Sequence, residues 1–198
     1  MLLSLFHKLF TGLFFGQHQA SINNYTHHRG KYHYCSETVA DIDINWLKLC
    51  QFQGIILDLD NTIISEDDRY LSPHVEAWIS EAKSAGFKMF MLSNGKRRHR
   101  VIYWSNRLNI PALSPARKPL PKAFKHAISV MQIKPHQVVV IGDSFHTDIL
   151  GAKIIGCASI QVASLPHPPR WWEKIAGRFV QKSYPHLREL WLFEKQDY

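Results

Sequence analysis

Residues Gly54 to Thr62 read GIILDLDNT, an apolar run that stops abruptly in two carboxylates, an amide and a hydroxyl. The small and apolar residues before Asp58 predict a strand buried on both faces, as in a parallel sheet flanked by helices. Such a strand delivers its polar tail at its carboxyl end, where open α/β sheets bind ligands. A side-chain period of two sends Asp58 and Asp60 to the same side with Leu59 pointing away, so the two acids share one pocket. Carboxylates that close repel each other, and a divalent cation between them is the usual remedy.

Outward from this strand the chain alternates helix and strand. The acidic loop SEDDRYL leads to a helix with Ser72 as N-cap, Pro73 in the first turn, an apolar stripe of Val75, Trp78, Ile79 and Ala82, and Gly86 at its end. The strand FKMFML follows and ends at Ser93; strand, helix and strand make a βαβ unit, hence a parallel sheet. A second helix from near Lys96 to Leu108 buries Val101, Trp104 and Leu108, and Pro111 closes it before the short extended piece ALSPA. Pro119 and Pro121 bracket the start of a third helix with Phe124, Ala127, Ile128 and Met131 inward. VVVI is a strand stopped by Gly142 and Asp143, HTDILGAKIIG a helix ending at Gly156, and ASIQV a last strand. No internal repeat is visible.

A chain of 198 residues fits one domain with a terminal extension. Lys and Arg number 24 against 16 Asp and Glu, and the net charge of +8 favours anionic partners: phosphate esters, nucleic acid or an acidic membrane surface. Cys35, Cys50 and Cys157 form no CxxC and are odd in number, which argues against a disulfide framework or zinc site and for buried thiols in a reducing compartment. Residues 1–16 contain LLSLFHKLFTGLFF, an amphipathic helix shorter than the ~20 apolar residues of a bilayer crossing. It is either an in-plane membrane anchor or a helix packed on its own domain or on a twin subunit. Residues 17–34 are a polar linker in which His27, His28 and His33 lack acidic or cysteine companions and read as solvated loop residues. Residues 35–198 are the compact domain, and its tail WWEKIAGRFVQK is a possible amphipathic helix suited either to a headgroup interface or to packing on the sheet.

Four polar clusters sit at successive strand ends: Asp58, Asp60 and Thr62; Ser93 and Asn94; Lys118; Asp143 and Asp148. Each alone has a bland reading as a solvated strand end, a surface lysine or a turn. Together they suggest phosphoryl transfer to a carboxylate. Asp58, ionised at neutral pH, attacks phosphorus without a base, while Asp60 protonates the leaving alkoxide and later deprotonates water. Ser93 and Lys118 hold the phosphoryl oxygens, and Asp143 with Asp58 binds Mg²⁺, which prefers oxygen ligands.

The order DLDNT, SN, KP and GDSFHTD resembles the motifs of the haloacid dehalogenase (HAD) superfamily phosphatases. The resemblance implies a three-layer Rossmann-like α/β fold with a mostly parallel sheet. It makes Asp58 the nucleophile, Asp60 the acid/base and a magnesium ligand through its carbonyl, Ser93 and Lys118 phosphate binders and Asp143 a direct metal ligand. Asp148 becomes the acid that orients a metal-bound water, with Thr62 and Asn94 in support. The stretch VADIDINWLKLCQFQGIILDLDNTII, the KPLPKAF segment and GDSFHTDILGAKIIG further resemble the YqeG-like subgroup, within subfamily IIIA, related to the phosphatidylglycerophosphate phosphatases of mitochondria and plastids. Two features depart from that pattern: Gly95 follows Asn94, where the family often has a second Asn, and SFH follows Asp143.

The intervals from Thr62 to Ser93 and from Ser93 to Lys118 are each filled by a loop, a helix and a strand, leaving no room for a cap domain. An uncapped site accepts a phosphate presented on something large, and the amphipathic N-terminus with the basic tail favours a lipid. The expectation is a Mg²⁺-dependent phosphatase that converts phosphatidylglycerophosphate to phosphatidylglycerol on the cytoplasmic, anionic face of a membrane, or the matrix side in an organelle, with no nucleic acid partner. The rivals are a phosphatase of soluble phosphate esters or nucleic acid ends, and a non-catalytic membrane or protein-binding adaptor with a HAD core.

Overall fold

The computed structural model describes residues 32–170, 174 and 181–194. The amphipathic reading of residues 1–16, the linker up to residue 31 and most of the WWEKIAGRFVQK segment lie outside the described residues. In chain order the elements are β1 (His33–Cys35), α1 (Ile44–Leu49), β2 (Gly54–Asp58), β3 (Tyr70–Leu71), α2 (Val75–Ser84), β4 (Lys88–Leu92), α3 (Arg98–Leu108) and β5 (Ala112–Leu113). They continue with α4 (Pro121–Met131), β6 (Val138–Gly142), a π-helical turn at Phe145–Ile149, α5 (Leu150–Ile155), β7 (Ala158–Gln161), β8 (Ala163–Ser164), β9 (Lys182–Ser183) and β10 (Trp191–Leu192).

The main sheet has the order β1-β7-β6-β2-β4-β5, and every pairing in it is parallel. GIILD is buried along its whole length. Its alternation sorts the core into two layers. Ile55 and Leu57 join Met89, Met91, Val139 and Ile141 in a cluster with α1, α2 and α3, whereas Ile56 joins Phe90, Leu92, Val138 and Val140 in a cluster with α4 and α5. Helices therefore cover both faces, giving the three-layer Rossmann-like α/β architecture with no inserted domain among the described residues.

Several local expectations are revised. Ser72 does not cap α2: the helix starts at Val75 behind His74, which has a left-handed φ of 56° and makes no side-chain cap bond, although the stripe Val75, Trp78, Ile79 and Ala82 is buried. The helix is tied to the preceding segment by the Trp78 indole N–H, which donates to the Ile42 carbonyl at 2.7 Å. α3 starts at Arg98, two residues inside the expected bound. HTDILGAKIIG is not one helix but a π-helical turn followed by α5, which ends at Gly156 with φ 76°, a conformation glycine adopts without strain. ASIQV is not the last strand, because β9 pairs parallel with β8 and β10 pairs antiparallel with β3. The end of the polar linker also carries structure: His33 and Tyr34 belong to edge strand β1 on β7, with the Ser159 N–H donating to the Tyr32 carbonyl at 3.0 Å. Pairing with a neighbour, rather than local polarity, decides that segment. Of the three cysteines only Cys157 is buried, Cys50 being half-buried and Cys35 exposed.

Candidate active site

The carboxyl ends of the parallel strands bring the expected residues together. Asp58 is the last residue of β2 and pairs in register with Leu92 of β4, so Leu59 and Ser93 leave adjacent strands at the same level. Asp143 follows β6, and Lys118 follows β5 on a loop whose backbone is gripped by Asn94: the Asn94 amide oxygen accepts from the Lys118 N–H at 2.7 Å, and its nitrogen donates to the Lys118 carbonyl at 3.1 Å. Asn94 thus supports the site by aiming Lys118.

The Lys118 ammonium is buried and donates to Asp58 Oδ1 at 2.5 Å, Asp148 Oδ1 at 2.7 Å and the Leu92 carbonyl at 3.1 Å, three acceptors for three protons. Burial works against its charge, but Asp148 and Asp58 more than offset this, and its pKa lies above the ordinary lysine value. Asp58 is pushed well above the usual carboxylate range, first by burial and then by Asp148, with Lys118 acting in the opposite direction. Burial, followed by Asp148, likewise pushes Asp143 up to about 7. These shifts mark acids held out of water and beside one another, a burden that Lys118 offsets only in part.

Asp143 is fixed at three points. Its N–H donates to the Thr62 hydroxyl at 3.0 Å, its carbonyl accepts from Gln161 Nε2 at 3.0 Å, and its Oδ2 accepts from Gln181 Nε2 at 2.8 Å. Thr62 therefore joins the β6 loop to the Asp58 loop. Asp148 reaches back along the π-helical turn so that its Oδ2 accepts from the Thr147 hydroxyl at 3.0 Å. A Cβ on Gly142 would lie 2.4 Å from Asp148 Cγ, so the approach of this carboxylate depends on glycine at the end of β6.

Asp58, Asp143 and Asp148 place one carboxylate oxygen each within 4.8 Å of one another, all three buried. An all-oxygen anionic donor set of this kind suits a hard divalent cation such as Mg²⁺. The raised carboxyl pKa values and the buried Gln181 Oε1, which has no partner among the described residues, fit such an ion.

The carboxylate of Asp60 does not join that cluster, contrary to the picture of one cation held between Asp58 and Asp60. Its Oδ2 accepts from the Ser93 hydroxyl at 2.6 Å and its Oδ1 pairs with the Arg100 guanidinium. Arg100 is 2% exposed and also engages Asp68 Oδ1 and, at 2.9 Å, the Ser65 carbonyl. The repulsion anticipated between Asp58 and Asp60 is thus met by two protein cations, Lys118 and Arg100. Arg100 was legible in principle, because it stands four residues before Trp104 and eight before Leu108 on the buried stripe of α3. Gln161 and Gln181 carry no sequence signal.

These groups open into a cleft of 520 Å³ whose lining includes Asp58, Asp60, Asn94, Lys118 and Asp143, with Lys96, Arg97, His146 and Arg170 contributing basic groups. Thr62, Ser93 and Asp148 are buried beneath this surface rather than lining it.

The haloacid dehalogenase-like hydrolase family matches residues 14–156. The probable phosphatase YqeG of Bacillus subtilis (strain 168) is 41% identical over 116 residues, which cover 59% of this chain and 67% of that protein. The phosphoserine phosphatase of Thermus thermophilus is 25% identical over 114 residues, covering 53% of this chain and 46% of that one. Among solved structures, a HAD-superfamily hydrolase from Ehrlichia chaffeensis is similar with a TM-score of 0.49 at 18% identity, over 63% of this chain and 94% of the other. The family match runs through all the strand-end motifs, and the chain belongs to the haloacid dehalogenase-like hydrolases.

Proposed function

We propose that this hydrolase is a Mg²⁺-dependent phosphomonoesterase with Asp58 as nucleophile. The observation that carries the reading is Asp58 itself: a carboxylate at the open end of β2, 2.5 Å from a lysine ammonium and grouped with two further acids. Held by Asp58, Asp143 and Asp148, a divalent cation would offset the negative charge of the acids and of an incoming phosphoryl group. Asp58 then forms the bond to phosphorus as the ester oxygen leaves, giving an aspartyl phosphate. Asp60 supplies the proton to the departing oxygen. In the second step it takes a proton from the water that attacks phosphorus, and the Asp58 carboxylate is released with inorganic phosphate.

The Ser93 hydroxyl accounts for how Asp60 becomes available. It accepts from the Gly95 N–H at 2.9 Å and donates to Asp60 Oδ2. When a phosphoryl oxygen arrives, the hydroxyl turns to it and frees Oδ2 to take up from water the proton that Asp60 then delivers to the departing oxygen, while Arg100 keeps hold of Oδ1. Lys118, aimed by Asn94, balances the remaining charge.

Within this activity the substrate we favour is phosphatidylglycerophosphate, with the enzyme peripheral on the cytoplasmic or matrix face of an anionic membrane and with subfamily IIIA, YqeG-like kinship. Three features support it: the similarity to the Bacillus protein, a cleft without an inserted cap among the described residues, and a net charge of +8. The test is phosphate release from phosphatidylglycerophosphate in vesicles with Mg²⁺. The wild type should release phosphate, Asp58→Asn should not, and removal of residues 1–16 should abolish turnover on vesicles while sparing a small soluble ester. Hydrolysis of soluble esters or nucleic acid ends but not of the lipid would replace the substrate and keep the reaction. No turnover of any ester would support the adaptor reading instead.

A further inference from the structure

We propose that Gln181 is a positioning residue of the cation site, holding Asp143 through its amide nitrogen and offering its amide oxygen to water carried by a divalent cation. The inference rests on the cation reading given above. Gln181 lies well beyond residue 156, where the family match ends, so the site draws on a part of the chain outside the shared core.

Three observations converge on this residue. Gln181 bridges antiparallel to Ser144, the residue after Asp143, and the adjoining β9 runs parallel to β8. The returning chain is therefore laid directly against the loop that carries the acid. The Gln181 side chain is buried at 9% exposure, and its Nε2 donates to Asp143 Oδ2 at 2.8 Å. With the amide nitrogen on the carboxylate a donor meets an acceptor. That leaves Oε1 buried without a partner among the described residues.

A buried acceptor left unmatched is costly, and proteins retain such an atom where a water or ion completes it. Here it stands beside Asp143, one of three clustered carboxylates. Mg²⁺ sheds its hydration shell reluctantly and keeps several waters, each a donor in need of an acceptor. Gln161 does the complementary work on the backbone, donating to the Asp143 carbonyl at 3.0 Å. One amide on the backbone and one on the carboxylate fix the direction of this acid before any cation arrives, and groups of this kind commonly govern affinity at metal centres.

The assignment is tested without turnover, by isothermal titration of Mg²⁺ into the full-length chain, with circular dichroism as the check on folding. Wild type is expected to bind. Gln181→Leu should weaken binding by about tenfold or more, and Gln181→Asn, one methylene short of Asp143, should fall between the two. Lys182→Ala, on the exposed neighbouring position, should bind as the wild type does. A folded Gln181→Leu chain that binds Mg²⁺ within about twofold of the wild type overturns the assignment, far short of the loss expected from such a partner. If the Leu variant does not fold, the same criterion applies to Gln181→Asn. A wild-type chain that binds no Mg²⁺ overturns instead the cation site on which the inference depends.

Discussion

Replacing Arg100 with Met keeps most of the side-chain length and removes a charge that serves two acids at once. The guanidinium is 2% exposed and pairs with Asp60 Oδ1 and Asp68 Oδ1, while its Nη2 donates to the Ser65 carbonyl. The Asp68 side chain is fully buried and keeps Arg97, itself 43% exposed, at 2.9 Å. Removing one partner of a buried ion pair costs about 3–5 kcal/mol, because the other charge is left in a medium that solvates it poorly. Arg97 offsets part of this, which places the expected loss near the lower end, about 3 kcal/mol. In a chain of this size each kcal/mol moves Tm by roughly 2–4 °C, so the fall should be roughly 6–12 °C. Urea unfolding followed by circular dichroism at pH 7 measures the loss directly. Adding Asp68→Asn to the variant should recover part of it, since the stranded charge is then gone. Unfolding of Arg100→Met within about 1 kcal/mol of the wild type would refute the argument, because that is the range expected of an exposed pair.

The raised carboxyl pKa values make stability depend on pH. Burial and the neighbouring Asp148 raise the carboxyl pKa of Asp58 and Asp143 in the folded metal-free chain, so each lowers stability as pH rises through its folded value, which for Asp143 is about 7. Asp143→Asn should accordingly gain Tm over the wild type in EDTA, by a margin that widens between pH 5 and pH 8, and Mg²⁺ should raise the wild-type Tm more at pH 8 than at pH 5; a constant margin would count against both. Asp58→Asn should lose turnover yet unfold no earlier than the wild type in EDTA, as measured by thermal scans, because it removes a buried charge that Asp148 repels. Gly142→Ala places a Cβ 2.4 Å from Asp148 Cγ and should cost about 1–3 kcal/mol together with Mg²⁺ affinity, whereas Gly156→Ala, at φ 76° with open space around it, should cost about 1 kcal/mol and leave Mg²⁺ titrations unchanged.

The division between what the sequence disclosed and what it concealed follows the range of the interactions. GIILD could be placed because burial on both faces is written in five consecutive residues, and the parallel sheet followed from one strand-helix-strand repeat. The strand-end acids, Asn94 and Lys118 were visible because parallel topology puts every such terminus on one side, whatever the angles between strands. The cradle around them was not visible. Whether a carboxylate meets a cation, a lysine or an arginine is settled by side chains distant in sequence, as with Asp60 and Arg100, 40 residues apart, or Asp143 and Gln181, 38 apart. Period arguments also cannot tell a π-helical turn from an α-helical one, yet that one wide turn carries Asp148 to within 2.7 Å of Lys118. The strand-end motifs thus specify which groups meet at the site, while long-range partners such as Arg100 and Gln181 set how firmly those groups are held. Substitutions at these partners should therefore change cation affinity and stability before they change the class of reaction.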